Sequence, residues 1–267
     1  MRNWVTKKID AWFRDKKSGR KRALVTVYDH GFAALASAAG MDGLLVGDSL
    51  GMVIQGHQDT LGVTLQQMVY HTEMVSRGAG ECLVFADLPL GTYEESPQQA
   101  WRSSMALLRA GADVIKWEGG AELAGTVSFC AERGLNVCAH IGLTPQRVRQ
   151  WGRFQRQGVT PEASDRLNQE AEQLARAGAR FLLLEAVPGE LAREIARSVP
   201  VPVIGIGAGP DTDAQVLVLH DVLGLGGRIP SFAKAFAPGA RVLGEALSHY
   251  AEAVRSGKFP GEHLEGG

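Results

Sequence analysis

Little in this 267-residue chain is available for cross-linking. It holds three cysteines, Cys82, Cys130 and Cys138, with no CxxC pair and no Cys/His cluster. That odd, scattered set argues against a disulfide framework or a structural zinc site. It suits a reducing cytoplasm, with each thiol a small apolar filler. Basic charge is equally scarce: 28 Lys and Arg against 29 Asp and Glu leave a formal net charge of −1. Nothing there would neutralise a run of phosphates, so nucleic acid is not an expected partner. No apolar run approaches the roughly 20 residues of a membrane-spanning helix, and a membrane is not expected either. No Pro/Gly/Ser-rich linker or low-complexity tract divides the sequence. One domain over residues 1–267 is therefore expected, a size that suits one large core better than two small ones.

What the chain does have is alternation. The first 20 residues carry Trp4, Val5, Ile9, Trp12 and Phe13 between charges at helical spacing. This predicts an amphipathic helix laid against the body, capping the bottom of a barrel or meeting another copy, and not a signal peptide. After it, short β-rich runs alternate with helical stretches. Strands are predicted near Leu24–Tyr28, Gly43–Gly47, Leu83–Ala86, Asp113–Trp117, Asn136–Ala139, Phe181–Leu184, Val203–Ile206 and Val218–Asp221. Eight parallel strands in a chain of this length predict an α/β fold of the (β/α)8 TIM-barrel type. Thr64 with Gln67 and Ser96 with Gln99 read as capping boxes, and Thr144-Pro145 as a further capped start. A last helix is expected over Ala240–Arg255, then an irregular tail from residue 257.

Nearly every predicted strand finishes on a polar residue: Asp29, Asp48-Ser49, Asp87, Lys116 and Glu118, His140, Glu185, and His220-Asp221. The loops after barrel strands build active sites, and turn or cap duty accounts for only one or two such residues. Alternation places Lys116 and Glu118 on one face, with Trp117 turned to the helix layer; Val46 with Asp48, Phe85 with Asp87, and Leu183 with Glu185 pair in the same way. Asp48, Asp87 and Glu118 come from three consecutive strands spaced about 4.8 Å apart. Such acids repel unless a positive group sits among them. A hard divalent cation such as Mg2+ is one solution and Lys116 is the other. Glu185 leaves an apolar strand, so desolvation would raise its pKa towards that of a general base; a salt-bridged role is the alternative. The glycines of GIGAG, Gly205–Gly209, fit a phosphate-cradling loop or simple tight turns.

The segments LLVGDSLGMVIQGHQDTLGVTLQQMVYHT, ADLPLGTY, ADVIKWEGG, VCAHIGLTPQ, LLLEAVP, VPVIGIGAG, LVLHDVLG and SGKFPGEH run in order over nearly the whole chain. On them the chain resembles the 3-methyl-2-oxobutanoate (ketopantoate) hydroxymethyltransferase family. The resemblance implies a (β/α)8 barrel that transfers a hydroxymethyl group from 5,10-methylenetetrahydrofolate to 3-methyl-2-oxobutanoate through a Mg2+-stabilised enolate, giving 2-dehydropantoate. It implies metal ligands at Asp48, Asp87 and Glu118. It implies a 2-oxo acid site at Asp48, Ser49, Asp87, Lys116 and His140, and a proton acceptor at Glu185. Members are homo-oligomers, often decamers. The chain departs from the family pattern at Gly62, Arg153, Gln155, Ser231 and a shortened glycine stretch at Gly224–Gly227, all outside the acid set.

Overall fold

The computed structural model describes residues 2–152, 155–226 and 229–260. Trp4 lies outside the described side chains, and Arg153, Gly227 and the tail beyond residue 260 lie outside the described residues. The chain forms two compact units, residues 1–218 and 219–267.

The first unit is a closed barrel of eight parallel strands in sequential order. They are β1 (Arg22–Thr26), β2 (Gly43–Val46), β3 (Leu83–Asp87), β4 (Val114–Glu118), β5 (Val137–Gly142), β6 (Phe181–Glu185), β7 (Val203–Ile206) and β8 (Ala214–Leu217). Closure is made by β8 pairing β1, with Ala214 opposite Arg22 and Val216 opposite Leu24. The helices are α1 (Arg2–Ser18), α2 (His30–Ala38), α3 (Leu50–Val53), α4 (Leu65–Gly78), α5 (Pro97–Arg109), α6 (Ala124–Ala131), α7 (Val148–Trp151), α8 (Pro161–Arg176) and α9 (Gly189–Ser198). The second unit carries α10 (Leu219–Leu223) and α11 (Gly239–Arg255). Among the described residues, no helix is long and apolar enough to cross a membrane.

Sequence chemistry explains the helix starts. Thr64 and Gln67 form a reciprocal capping box on α4, and Ser96 accepts from the Gln99 N–H at the start of α5, where Pro97 needs no partner for a missing N–H. Asp29 is a cap as well. Its side chain accepts from the Phe32 N–H at the head of α2, and β1 ends at Thr26, three residues earlier. Thr144 makes no side-chain cap, contrary to expectation. The N–H that such a cap would take belongs to Gln146, and it donates instead to Glu118 Oε2 at 2.9 Å.

The predicted eighth strand, Val218–Asp221, is displaced. The strand is Ala214–Leu217, and His220 and Asp221 lie in α10 of the second unit. The run Val216–Leu219 is continuously apolar and contains no register signal. The register comes from pairing with β1 and from Thr212, whose hydroxyl donates to the Ala214 carbonyl at 2.8 Å.

The barrel interior is filled from below. Leu24, Leu45, Leu83, Phe85, Val114, Cys138, Phe181, Leu183, Ile204, Ala214 and Val216 form one buried cluster with Ile9 and Trp12 of α1. Trp12 meets Phe181 and Phe85 edge-on at 5.4 and 5.9 Å, and those two rings meet at 5.2 Å. Aromatic pairs in this geometry add about 0.5–1.5 kcal/mol each beyond the area they bury. Lys16 fastens the end of α1, donating to Asp213 at 2.7 Å and to the Ala196 carbonyl. The amphipathic helix is thus a plug for the barrel bottom, and function is left to the opposite end.

Candidate active site

The inward face of each strand continues upward from that core. Phe85 leads to Asp87, Val114 to Lys116 and Glu118, Cys138 to His140, and Leu183 to Glu185, each step being two residues along a strand. Trp117 faces outward as expected, its ring 6.1 Å from that of Tyr93. The exception is β2, whose core-facing residue is Leu45 and not Val46. Asp48 lies two residues past the end of that strand, in a turn where alternation no longer applies. Its own N–H donates to Asp87 Oδ2 at 3.1 Å, which holds it beside its neighbour.

Asp48, Asp87, Lys116, Glu118 and His140 are all buried, at 5 % exposure or less. The Lys116 ammonium stands 3.1 Å from Asp87 Oδ2, 3.9 Å from Glu118 Oε1 and 3.2 Å from His140 Nδ1. The other nitrogen of His140, Nε2, has no hydrogen-bond partner and points at Glu185 Oε2, 3.4 Å away. Ser49 is tied in from the side by a hydroxyl chain, with Tyr28 2.9 Å from Ser49 and 2.8 Å from Thr26.

Each group's environment sets its charge. Burial, together with the Asp87 and Glu118 charges, pushes Asp48 up to about 8. Burial also raises Asp87, against the pull of Lys116. Burial would raise Glu118 too, but His140, Lys116 and the Gln146 N–H hold it below the ordinary carboxylate value. Lys116 is raised because the three acids outweigh its desolvation. Burial and Lys116 lower His140, so the imidazole is neutral near pH 7. Its Nδ1 lies between the Lys116 ammonium and Glu118 Oε1, and Nε2 is on the side of Glu185. Burial, then Glu118, pushes Glu185 up to about 8.

Three carboxyls, Asp48, Asp87 and Glu118, thus surround one ammonium, and the two that are raised would ionise readily only beside a further cation. One atom is placed to meet it: Asp87 Oδ1 is buried and has no hydrogen-bond partner. Among the described residues, no three His, Cys, Asp or Glu side chains converge as a closed metal cage. An ion at this place would be held by one or two carboxylates, the usual protein share of a Mg2+ site.

The expected site residues of β2 to β6 therefore come together, whereas Asp29 is a helix cap and His220-Asp221 belong to the second unit. Two buried participants were not foreseen. Gln146 donates from Nε2 to Asp48 Oδ2 at 2.8 Å and to the Leu88 carbonyl at 2.9 Å, and Tyr93 lies against both Gln146 and Glu118. A polar residue directly behind Thr-Pro, at the end of a strand that carries a site histidine, was the available signal. Gly142 makes the turn possible: its φ is +93°, and a Cβ there would meet the Glu185 carbonyl at 2.5 Å. Within GIGAG, a Cβ on Gly205 would meet the Thr212 hydroxyl at 2.6 Å and one on Gly209 the Gly189 Cα at 2.9 Å, and Gly207 and Gly209 take positive φ, as tight turns require. The three cysteines are buried and free.

Comparison with known proteins gives a consistent result. A family model described as ketopantoate hydroxymethyltransferase matches residues 6–262. The 3-methyl-2-oxobutanoate hydroxymethyltransferase of Acidithiobacillus ferrooxidans is 64 % identical over 254 residues, covering 95 % of this chain and 97 % of that one. The protein of the same name from Nitrosospira multiformis is 49 % identical over 256 residues, covering 95 % and 97 %. Among solved structures, a phosphonopyruvate hydrolase in complex with oxalate and Mg++ superposes with a TM-score of 0.63 at 14 % identity, covering 94 % of this chain and 88 % of that one. A 2,3-dimethylmalate lyase of the PEP mutase/isocitrate lyase superfamily does so with a TM-score of 0.60 at 19 % identity, covering 97 % and 91 %. These two likenesses concern the barrel fold.

Proposed function

Because the chain belongs to the ketopantoate hydroxymethyltransferase family and is a hydroxymethyltransferase, we propose that it moves the one-carbon unit of 5,10-methylenetetrahydrofolate onto 3-methyl-2-oxobutanoate at a site that holds Mg2+. With one water consumed, the products are 2-dehydropantoate and tetrahydrofolate. The observation that carries the metal part is the buried, unpartnered Asp87 Oδ1 within a group of acids that a single ammonium does not balance.

Asp48 and Asp87 are the direct ligands in this reading. Glu118 belongs to the same metal site, but its Oε2 is already occupied by the Gln146 N–H. Mg2+ bound there supplies a Lewis acid for the adjacent keto and carboxylate oxygens of a 2-oxo acid. Ser49 and the Nε2–H of His140 offer donors to the same substrate oxygens. Lys116, fixed between Asp87 and His140, keeps a positive charge beside the place where the ketone oxygen becomes negative.

Glu185 accepts the proton. Its carboxyl is not tied to Lys116, and burial raises its pKa to about 8, which makes it basic enough to work near neutrality. It takes the hydrogen from carbon 3 of the keto acid. The electron pair released there forms the new carbon–carbon bond to the one-carbon unit. His140 Nε2, 3.4 Å from Glu185 Oε2, orients that carboxyl towards the substrate.

The same reading carries a homo-oligomer, with a decamer as the family's common form, and a cytoplasmic setting in keeping with three free, buried cysteines. The decisive assay follows carbon 3 of the keto acid in D2O. Deuterium enters with Mg2+ present, fails to enter after chelation, and fails to enter in Glu185→Gln. Adding methylenetetrahydrofolate to wild type then yields 2-dehydropantoate. Metal-independent exchange, or exchange undiminished in Glu185→Gln, removes the corresponding part of the proposal.

A further inference from the structure

Gln146 sits at the crossing point of the acid cluster and is only 3 % exposed. It comes from the 3-10 turn Pro145–Arg147 behind β5 and reaches residues of three other segments. Its side-chain Nε2 donates to Asp48 Oδ2 at 2.8 Å and to the Leu88 carbonyl at 2.9 Å. Its backbone N–H donates to Glu118 Oε2 at 2.9 Å. Its Oε1 accepts from the Tyr93 hydroxyl at 2.7 Å.

The amide has only one workable orientation. A carboxylate oxygen and a carbonyl are acceptors only, so flipping the amide would set Oε1 against both with no proton between them. Tyr93 secures the same orientation from the other end. Its hydroxyl lies 2.7 Å from Oε1 and accepts from the Glu118 N–H at 3.2 Å, with the Glu118 carbonyl as a second acceptor at 2.9 Å. Burial and the Glu118 charge raise its pKa, so it stays a donor throughout the working range of pH.

We infer that Gln146, locked by Tyr93, is a positioning residue that occupies one carboxylate oxygen of Asp48 and one of Glu118, and so decides which oxygens remain to face the cation and Lys116. The inference rests on the metal reading above. The logic is that of an outer layer fixing its ligands. A free carboxylate can rotate and offer either oxygen or both, whereas Asp48 with Oδ2 held by an amide presents Oδ1. Glu118 with Oε2 held by a backbone N–H turns Oε1 to Lys116 and His140, at 3.9 and 3.5 Å. The amide does this without adding charge to a cluster already rich in it.

The test is Mn2+ binding to the whole protein, followed by electron paramagnetic resonance with no substrate present. Gln146→Met keeps the length of the side chain, removes its side-chain donors to Asp48 and Leu88, and leaves the backbone N–H on Glu118. Loss of such outer-layer partners typically costs about tenfold to a hundredfold in metal affinity. That loss is expected here, with a broadened bound-Mn2+ spectrum and a metal-free unfolding midpoint close to wild type. Tyr93→Phe, which leaves the amide in place but unlocked, is expected to weaken binding in the same direction by less, and it serves alone if Gln146→Met does not fold. Affinity within twofold of wild type in a folded variant of either kind overturns this inference alone. Mn2+ binding absent from wild type, or surviving Asp48→Asn and Asp87→Asn combined, overturns the metal reading and this inference with it.

Discussion

Glu185→Gln exchanges a carboxyl for a neutral amide of nearly the same size, so it isolates what the charge of that one group does to the fold. Burial and the neighbouring acids raise Glu185 from 4.5 to about 8, a displacement of about 3.5 pH units. The folded chain therefore keeps a proton that the unfolded chain releases. Stability linked to that proton is fully present below about 4.5 and is lost as pH rises through about 8. At about 1.4 kcal/mol per pH unit the upper figure is about 5 kcal/mol. The side chain is still 16 % exposed at the barrel mouth, and screening there reduces the effect to about 2–3 kcal/mol. For a chain of this size that corresponds to roughly 5–10 °C in midpoint. The assay is thermal unfolding of wild type and variant, both metal-free in EDTA, from pH 5 to pH 9. Asp48 and Asp87 titrate in both proteins, and the difference therefore reports Glu185 together with its coupling to them. The two curves should coincide near pH 5 and separate with rising pH, the variant melting about 5–10 °C higher at pH 9. Parallel curves, or a variant that is the less stable of the two at high pH, would refute the reasoning. The second result would mean that Glu185 is ionised and paired at high pH, and parallel curves that it titrates alike in the folded and unfolded chain.

Four further outcomes follow from the same geometry. Lys116→Met leaves Asp87 and Glu118 buried without their cation, and metal-free stability at pH 8 should fall by about 3–5 kcal/mol in urea titration, with a smaller loss at pH 5 where the acids can protonate. Deuterium exchange at carbon 3 in Mg2+-loaded protein should rise with pH as Glu185 ionises and level off below the metal-free value of about 8, because a bound dication favours the carboxylate; a profile flat from pH 5 to 8 argues against this base. Mg2+ at about a hundred times its Kd should stabilise wild type by about 2.7 kcal/mol, and Asp87→Asn should abolish the increment in the thermal midpoint. Trp12→Ala, which empties the barrel plug, should cost about 3–5 kcal/mol while metal affinity in the surviving folded fraction stays near wild type.

Fold and sequence agree where periodicity and turn chemistry act locally, and part where pairing decides. β7 occupies its expected residues, and β2 to β6 lie within one or two residues of theirs at each end, except that β5 runs three further, to Gly142. These are short apolar runs bounded by recognisable caps and glycines. β8 was misplaced because Val216, Leu217, Val218 and Leu219 look alike, and only the partner strand β1 distinguishes them. The facing of Asp48 was misread for a related reason. Extending strand alternation past Val46 assumes that the strand continues, whereas the chain turns there and the Asp48 N–H is captured by Asp87. Asp29 lost its place for the opposite reason: a strand end and a helix cap occupy adjacent positions, and Phe32 supplied the competing donor.

The acids themselves were legible, but their division of labour was not, because similar side chains differ only through partners distant in sequence. Glu118 is lowered because groups from β4, β5 and the following turn all stabilise its charged form, so it stays ionised. Asp87 gives Oδ2 to Lys116 and the Asp48 N–H and leaves Oδ1 without a hydrogen-bond partner, which is what the proposed role as a metal ligand rests on. Glu185 makes no ion pair with Lys116, whose charge lowers it less than burial and Glu118 raise it, and so it keeps its proton to higher pH. A base tied to the ammonium would be too weak to take a proton from carbon, whereas Asp48, raised as far as Glu185 by burial and its acidic neighbours, would give up its proton to a cation bound beside it. The two jobs therefore require different neighbours, and Gln146 belongs with the proposed metal-site acids because a neutral amide can order two of them without altering the charge of the cluster.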